Sequence, residues 1–449
     1  MEQSYADAAA GTRLTPPARG ISMQSSASAA RHEEAMAMAM KLWTFRFTLL
    51  TGAAALAAAA GLPLAGTAAA HAAQAARPAP GRVLSVGCGH GAYPTIGAAV
   101  NAAAAGDTIL VCSGTYHELV TVPAGKPLTI RGAGDPVVDA TGLSDPATGQ
   151  YSGVLVQASG TTVEGLTVEG ATGEAILVQG SPAAPVAHVT IRGNRVTGND
   201  QGNPDGTAIT TSPYRQCDEI PGPLPGDCGE AIHLWSVADS SVTGNYASHN
   251  SGGILLTDES GPTHGNLIAG NTVTDNPFDC GVTLGGHNPK AAPGGVPDPA
   301  AGGVYGNRIE HNVSTGNGLH GDGSGVLLGT PLPGGAVYDN LVTGNYLNGD
   351  GLSGVTVHSH VTGQDLNGNV VTGNMIGINN LHGDRDGTPV DLASTGVLVR
   401  SAGPLSITVE GNVIRGDTYG IWITPDVTVT GAARNVFTAV GTPVYTAPS

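Results

Sequence analysis

Lysine is nearly missing from most of this chain: beyond Arg77 only Lys126 and Lys290 occur. Over the same stretch 13 Lys and Arg stand against 31 Asp and Glu, with no basic run to break that balance. Nucleic acids are bound by Lys and Arg that neutralise phosphates, so the composition excludes such a partner. It equally disfavours an anionic glycan unless a divalent cation mediates. Methionine is as scarce, Met375 being the only one past the N-terminal segment, which removes the soft ligands of copper handling. Aromatic residues make up 4% of the chain, and Trp235 and Trp422 are the only tryptophans after residue 77, so few rings are on offer to a sugar.

The N-terminal part has a different character. Lys41 and Arg46 precede an alanine-rich apolar run from Phe47 to Ala65, and small residues follow in AGTAAAHAAQAA. That is the layout of a secretory signal peptide, with cleavage near Ala70 to Ala76. Residues 1–39 have no place before such a signal, and a start at Met36, Met38 or Met40 would remove them; residues 40–76 are then signal and linker, and 77–449 the secreted domain. An uncleaved membrane anchor is the competing reading, because the apolar run approaches spanning length. With cleavage the expected state is a secreted monomer without membrane attachment.

In that domain a short phrase returns seven times: GNRVTGN, GNYASHN, GNTVTDN, HNVSTGN, GNYLNGD, GNMIGIN and GNVIRGD. Each is followed by a Gly-apolar-x-apolar phrase such as GILLT, GVLLG or GVTVH. The paired apolar positions run from Ile232/Leu234 through Ile254/Leu256, Val282/Leu284, Val326/Leu328, Val355/Val357 and Val397/Val399 to Ile421/Ile423. Alternation of this kind is a strand with one buried face. Copies lie 26 to 51 residues apart, too short for separate domains, so each is one coil of a parallel β-helix, an all-β solenoid. Asn194, Asn245, Asn271, Asn312, Asn345, Asn374 and Asn412 are expected to stack in one column. Asn199, Asn250, Asn276, Asn317, Asp350, Asn379 and Asp417 form a second, their amides bonding along the stack. The NVS sequon at Asn312 is then not a glycosylation site.

Five cysteines in a secreted chain suggest disulfides. Cys217 and Cys228 bracket a Pro/Gly-rich excursion, and Cys88 and Cys112 flank a helical-looking stretch, TIGAAVNAAAAGD. Cys280 is left as a free, buried thiol. The segment YPTIGAAVNAAAAGDTILVCSGTYHELVTV, residues 93–122, resembles the opening of the pectin-lyase-like β-helix superfamily: a capping helix, a Gly-Asp turn, and a first strand leading to Gly-x-Tyr. The resemblance implies a single-stranded right-handed parallel β-helix with an N-terminal capping helix. Relatives include pectate and alginate lyases, epimerases, pectin methylesterases and NosD-type proteins. The GxxDFIFG, paired-aspartate and DPHD or DPHE signatures have no counterpart here, so no catalytic residue is carried over.

Loop lengths point to where a site could grow. The connection after the second column swells at residues 200–228, 318–324 and 380–395, and another excursion, 288–303, leaves the opposite end of the same strand. These could wall a groove floored by the outward column Trp235, Thr257, Gly285, Gly329, His358, Arg400 and Thr424. Coils repeat at about 4.8 Å, so His358 and Arg400 are expected to be neighbours beside a hollow left by the two glycines. Candidate catalytic groups are His358, Arg400, His287, Asp258, Glu259, Asp279 and Asp322, with Trp235, His233, His360 and Trp422 as substrate contacts. DRDGT, carrying Asp384 and Asp386, has alternating oxygens that Ca²⁺ could use or that could simply form an Asx turn. His358 and His360 share a strand face that zinc or copper would accept, without an evident third ligand.

Two functions follow. In the first, the chain is an extracellular carbohydrate-active enzyme on a polysaccharide or oligosaccharide. It is either a lyase with His358 or His287 as base and Arg400, helped by Ca²⁺, neutralising a uronate, or a hydrolase using two carboxylates among Asp258, Glu259, Asp279 and Asp322. In the second, it is a non-catalytic glycan- or partner-binding β-helix.

Overall fold

The computed structural model describes residues 81–145, 150–199 and 230–448. The expected signal peptide, the 200–228 excursion and the expected Cys217–Cys228 pair lie outside the described residues. Every Gly-apolar phrase is a strand, and all pair in parallel, residue for residue, with the coil before and after: Ile232 with Ile254, Ile254 with Val282, Val282 with Val326, Val326 with Val355, Val355 with Val397, and Val397 with Ile421. The row is longer than seven copies. Val120–Val122, Val154–Val156 and Ile176–Gln179 extend it at one end and Thr442–Thr446 at the other, making eleven strands. Two further rows, joined by the long strands Thr108–His117 and Thr129–Asp139, form the other faces, and a short five-stranded row fills one corner.

The inward residues Ile232, Leu234, Leu256, Val282, Leu284, Val355, Val397 and Ile421 are fully buried in one continuous core. Each contributes roughly 1.5–3 kcal/mol by leaving water. The glycine that opens the phrase has a steric reason. A Cβ on Gly253 would lie 2.1 Å from the carbonyl oxygen of Gly281, and one on Gly325 2.6 Å from that of Gly354. Stacked coils approach too closely there for a side chain.

Both asparagine columns form. In the first, each Nδ2 donates to the Oδ1 of the next asparagine at 2.8–3.0 Å, from Asn194 through Asn412 to Asn435. Each Nδ2 also reaches a backbone carbonyl and each Oδ1 also accepts a backbone N–H, so the amide's capacity is used (for Asn271, Val242 O and Asn245 N). Asn312 is part of this column, and its sequon has no exposed amide. The second column runs from Asn199 to Asn317, meets Asp350, and continues through Asn379 to Asp417 by backbone N–H donation. A third, Ser240–Asn266–Asn307–Asn340–Asn369, lies five residues upstream of the first and does not stand out from the sequence phrases.

The start of the stack is plugged by helix α1, Ile96–Ala102, capped by Thr95. The Glu118 carboxylate accepts the Ile96 and Gly97 N–H groups at 2.7 and 2.8 Å, where a helix N-terminus favours negative charge. Cys88 and Cys112 form the expected disulfide, with Cα atoms 5.2 Å apart. Cys280 is free and buried, and burial pushes its thiol well up. No helix among the described residues is long and apolar enough to cross a membrane.

Candidate functional site

The strand pairing places Gly285, Gly329, His358 and Arg400 at one register position on four consecutive coils. His358 and Arg400 are therefore neighbours, but the hollow beside them is filled. A Cβ on Gly329 would lie 2.8 Å from His358 Cδ2, and one on Gly285 2.8 Å from His287 Nε2. The two glycines are slots for two imidazoles, not a cleft.

Nor is this face open. Residues 384 and 391 pair through mutual backbone hydrogen bonds of 2.7 and 3.0 Å, and the Asn380 carboxamide ties down Asp391 and Ala393. The resulting hairpin lies across the strand ends. Arg400 Nη1 donates to Asp384 Oδ1 at 2.9 Å and Nη2 to the Pro389 carbonyl at 3.2 Å. Gly387 packs on the guanidinium, where a Cβ would lie 2.9 Å from Arg400 Cδ. Beneath, the Arg400 guanidinium carbon sits 5.5 Å from the Trp422 ring centre. Arg400 is 4% exposed and His358 6%, so neither lies on a solvated strand face as the sequence suggests. The Arg400 charge is spent on Asp384 and is not available to a substrate carboxylate.

The same hairpin brings up a group that completes the pair of histidines. Asp386 Oδ2 lies 2.7 Å from His360 Nε2 and 3.5 Å from His358 Nδ1. His360 Nδ1 is fixed at 2.9 Å by the Thr330 carbonyl, which also accepts from Gln364 Nε2. DRDGT does not gather its oxygens around one point: Asp384 faces Arg400, Asp386 faces the histidines, and Asp384 Oδ1 accepts the Asp386 N–H as an Asx turn. The arrangement expected for Ca²⁺ is therefore replaced by a mixed nitrogen and oxygen set.

Electrostatics divides these groups. Burial, and then the neighbouring His360, push the His358 imidazole down to about 4, so it is neutral at pH 7. His360 is raised, first by its hydrogen bond to Asp386. Burial works to raise Asp386, but the histidines hold it low. Asp322, from the 318–324 excursion, is exposed, and desolvation followed by the charges of Asp384 and Asp386 raises it. That excursion stacks under the hairpin by way of the 350–352 turn: Gly323 O accepts from Leu352 N–H, and Gly351 O from His382 N–H.

The other candidates lie elsewhere or are occupied. Asp258 is fully buried and accepts N–H groups from His287, Asn288 and Gly303 at 2.6–3.0 Å. It clasps both ends of the 288–303 excursion, and burial together with Glu259 raises it to about 6; a catalytic carboxylate must reach solvent, and this one does not. His287 is paired with Glu259 at 2.6 Å. Asp279 caps the Cys280 N–H at 2.6 Å. His233 is wholly buried between Glu174 and Thr257, at 3.0 and 2.7 Å, and Trp422 is 1% exposed, so neither can contact substrate. Trp235 is half-buried, its indole N–H on Ser260 Oγ at 3.0 Å. The corner thus joins His358, His360, Arg400, Asp322, Asp384 and Asp386, and leaves out Asp258, Glu259, His287, Asp279, His233 and Trp235. Of the residues that position it, Gly387 and Asp391 carry no sequence signal beyond their place in the 380–395 excursion, and Thr330 and Gln364, which lie in no excursion, carry none.

Residues 144–292 match the family model described as the right-handed β-helix region. With the coil architecture seen throughout the described residues, the chain has the right-handed parallel β-helix fold. Among curated proteins none matches it by sequence. Solved structures that resemble it include the alginate lyase from Paenibacillus sp. strain FPU-7 (15% identity, 80% of this chain and 99% of that one, TM-score 0.44). The A-module of the Azotobacter vinelandii mannuronan C-5 epimerase AlgE4 shares 16% identity over 79% of this chain and 94% of its own, with a TM-score of 0.46. The GH136 lacto-N-biosidase from Eubacterium ramulus shares 13% over 82% and 68%, with a TM-score of 0.45. At these levels the likeness is one of architecture.

Proposed function

We propose that the protein is a secreted carbohydrate-active β-helix whose site is the corner between the 318–324 and 380–395 excursions, and that it hydrolyses a neutral or weakly charged polysaccharide. The observation that carries this reading is the convergence there of Asp322 and Asp386 from two different excursions, both solvent-reaching, with Asp386 bonded to His360. Both are exposed and close enough that the charge of Asp386 raises the Asp322 carboxyl, and glycosidic hydrolysis needs two carboxyl groups, one to protonate the leaving oxygen and one to act on the opposite side of the sugar. The lyase alternative loses its support because Arg400 is neutralised by Asp384, and the overall acidity of the chain repels a uronate. Secretion agrees with the Cys88–Cys112 bridge, which persists in oxidising compartments.

The test is a panel of neutral and acidic polysaccharides, each with and without chelator, read for new reducing ends and for unsaturated products. Reducing ends on a neutral glycan support hydrolysis; unsaturated ends would show elimination instead; no turnover on any glycan would sink the enzymatic reading and leave a binding module. On whichever substrate is found, Asp322→Asn should lower turnover by about 10²–10⁴-fold with an unchanged melting curve. N-terminal sequencing of protein recovered from culture medium should start between residues 70 and 77; an intact N-terminus would count against secretion.

A further inference from the structure

We propose that His358, His360 and Asp386 form a binding site for one zinc-class divalent metal ion, with coordination positions left open towards solvent. Nδ1 of His358, Nε2 of His360 and a carboxylate oxygen of Asp386 all lie within 4.8 Å of one another. Metal bonds of about 2.0–2.1 Å in a tetrahedron place ligand atoms roughly 3.4 Å apart. The 3.5 Å between His358 Nδ1 and Asp386 Oδ2 already has that span, and the 2.7 Å contact to His360 needs to open by less than the length of a bond.

A second observation points the same way. His358 is more than nine-tenths buried, and its Nδ1, aimed at Asp386, has no hydrogen-bond partner. An orphaned buried nitrogen costs free energy unless something binds it. His360 has the complementary arrangement: the Thr330 carbonyl holds Nδ1, which orients the ring and leaves Nε2 directed at the site, as outer-shell carbonyls do for ligating histidines. Two imidazoles and a carboxylate suit zinc, cobalt or ferrous iron; calcium and magnesium prefer all-oxygen sets. The side chains of His360 and Asp386 are 28% and 49% exposed, so the remaining positions face water, as in catalytic rather than closed structural sites. With the ion bound, Asp386 is a ligand and no longer a free carboxylate, so under the hydrolase reading the ion would suppress turnover at the corner and chelator would restore it.

The test does not need a glycan, so its failure and that of the hydrolase reading are separable. The full chain, without a polyhistidine tag and stripped by chelator, is titrated with Zn²⁺ by calorimetry and with Co²⁺ by its visible absorption. One equivalent per chain is expected, weakened by about 100-fold or more in His360→Ala and in Asp386→Ala, and unaffected in His382→Ala, an exposed histidine on the same excursion. Because the His358 ring fills the Gly329 slot, His358→Ala also removes packing, so the decision rests on the two solvent-reaching ligands, with their melting curves as controls. Absence of binding in the unsubstituted protein, or binding that survives both substitutions, or equal loss in His382→Ala, overturns the proposal.

Discussion

The first asparagine column and the His358 corner are both stacks of buried polar groups repeating at the coil spacing, yet they are finished to different standards. In the column every amide is satisfied above, below and on the backbone. At the corner His358 Nδ1, Arg400 Nε and Asp384 Oδ2 are buried without hydrogen-bond partners. Native structures tolerate few such groups, and they gather where a ligand or a reaction is to be served. The column holds the trunk in register; the corner is where the trunk's stability is given up.

That contrast can be broken most severely at Arg400. Arg400→Ala strands Asp384 in a dry site and should cost roughly 3–5 kcal/mol, read as a shift in the urea midpoint. An unchanged midpoint would mean that the hairpin does not close over the strand face. Next in size is the pH dependence of the second column, the exception to the rule for columns. Asp350 is fully buried with Oδ2 unpartnered, and burial raises its carboxyl to about 7; Asp417 is raised likewise. Between about pH 4 and 7 the folded chain therefore holds protons at these two groups that the unfolded chain releases, so their contribution to stability is full below pH 4 and falls as pH rises through that window. Asp350→Asn should flatten the slope and add roughly 2–4 kcal/mol at pH 8; an identical pH profile refutes it.

Asn271→Leu, in the satisfied column, removes four hydrogen bonds and orphans their partners, for about 2–3 kcal/mol; no change in melting temperature would show that the column is decorative. The smallest effect is expected at Thr424. It shares the strand-end column but is buried and accepts the Ser401 N–H at 3.0 Å, so Thr424→Ala should cost about 1 kcal/mol and leave Zn²⁺ affinity as it was. Loss of Zn²⁺ binding there would move the site along the stack.

How far the sequence carried depended on what each feature rests on. Stacking identical residues is a repeating constraint, so Asn194 to Asn412 and the Gly-apolar strands announce the coils, and the pairing of His358 with Arg400 follows from register alone. The third column, Asn266 to Asn369, hides because its residues lie outside the repeated phrases, four positions before each begins, and Ser240 breaks its composition. The cover over Arg400 was not legible, since whether an outward strand residue meets water depends on how the 380–395 excursion folds back. A hint existed: glycine at 329 faces histidine at 358 on the next coil, a slot matched to a ring. Asp386 as partner to both histidines depended on the same fold-back, and no spacing between residues 358 and 386 encodes it.

The single carboxylate of Asp258 receives the backbone of both the first and the last residues of the 288–303 excursion. Just inside the first anchor point Ala291 and Ala292 are buried against Ala336 and Tyr338, and the Ala292 N–H donates to the Gly334 carbonyl at 2.6 Å, whereas most of residues 293–300 are exposed. The Asp258 socket makes the tip of this excursion exchangeable: a different peptide in place of residues 293–300 would be presented at the strand end with the coils on either side still in register, which gives the solenoid a place where a new specificity could be fitted without redesigning its core.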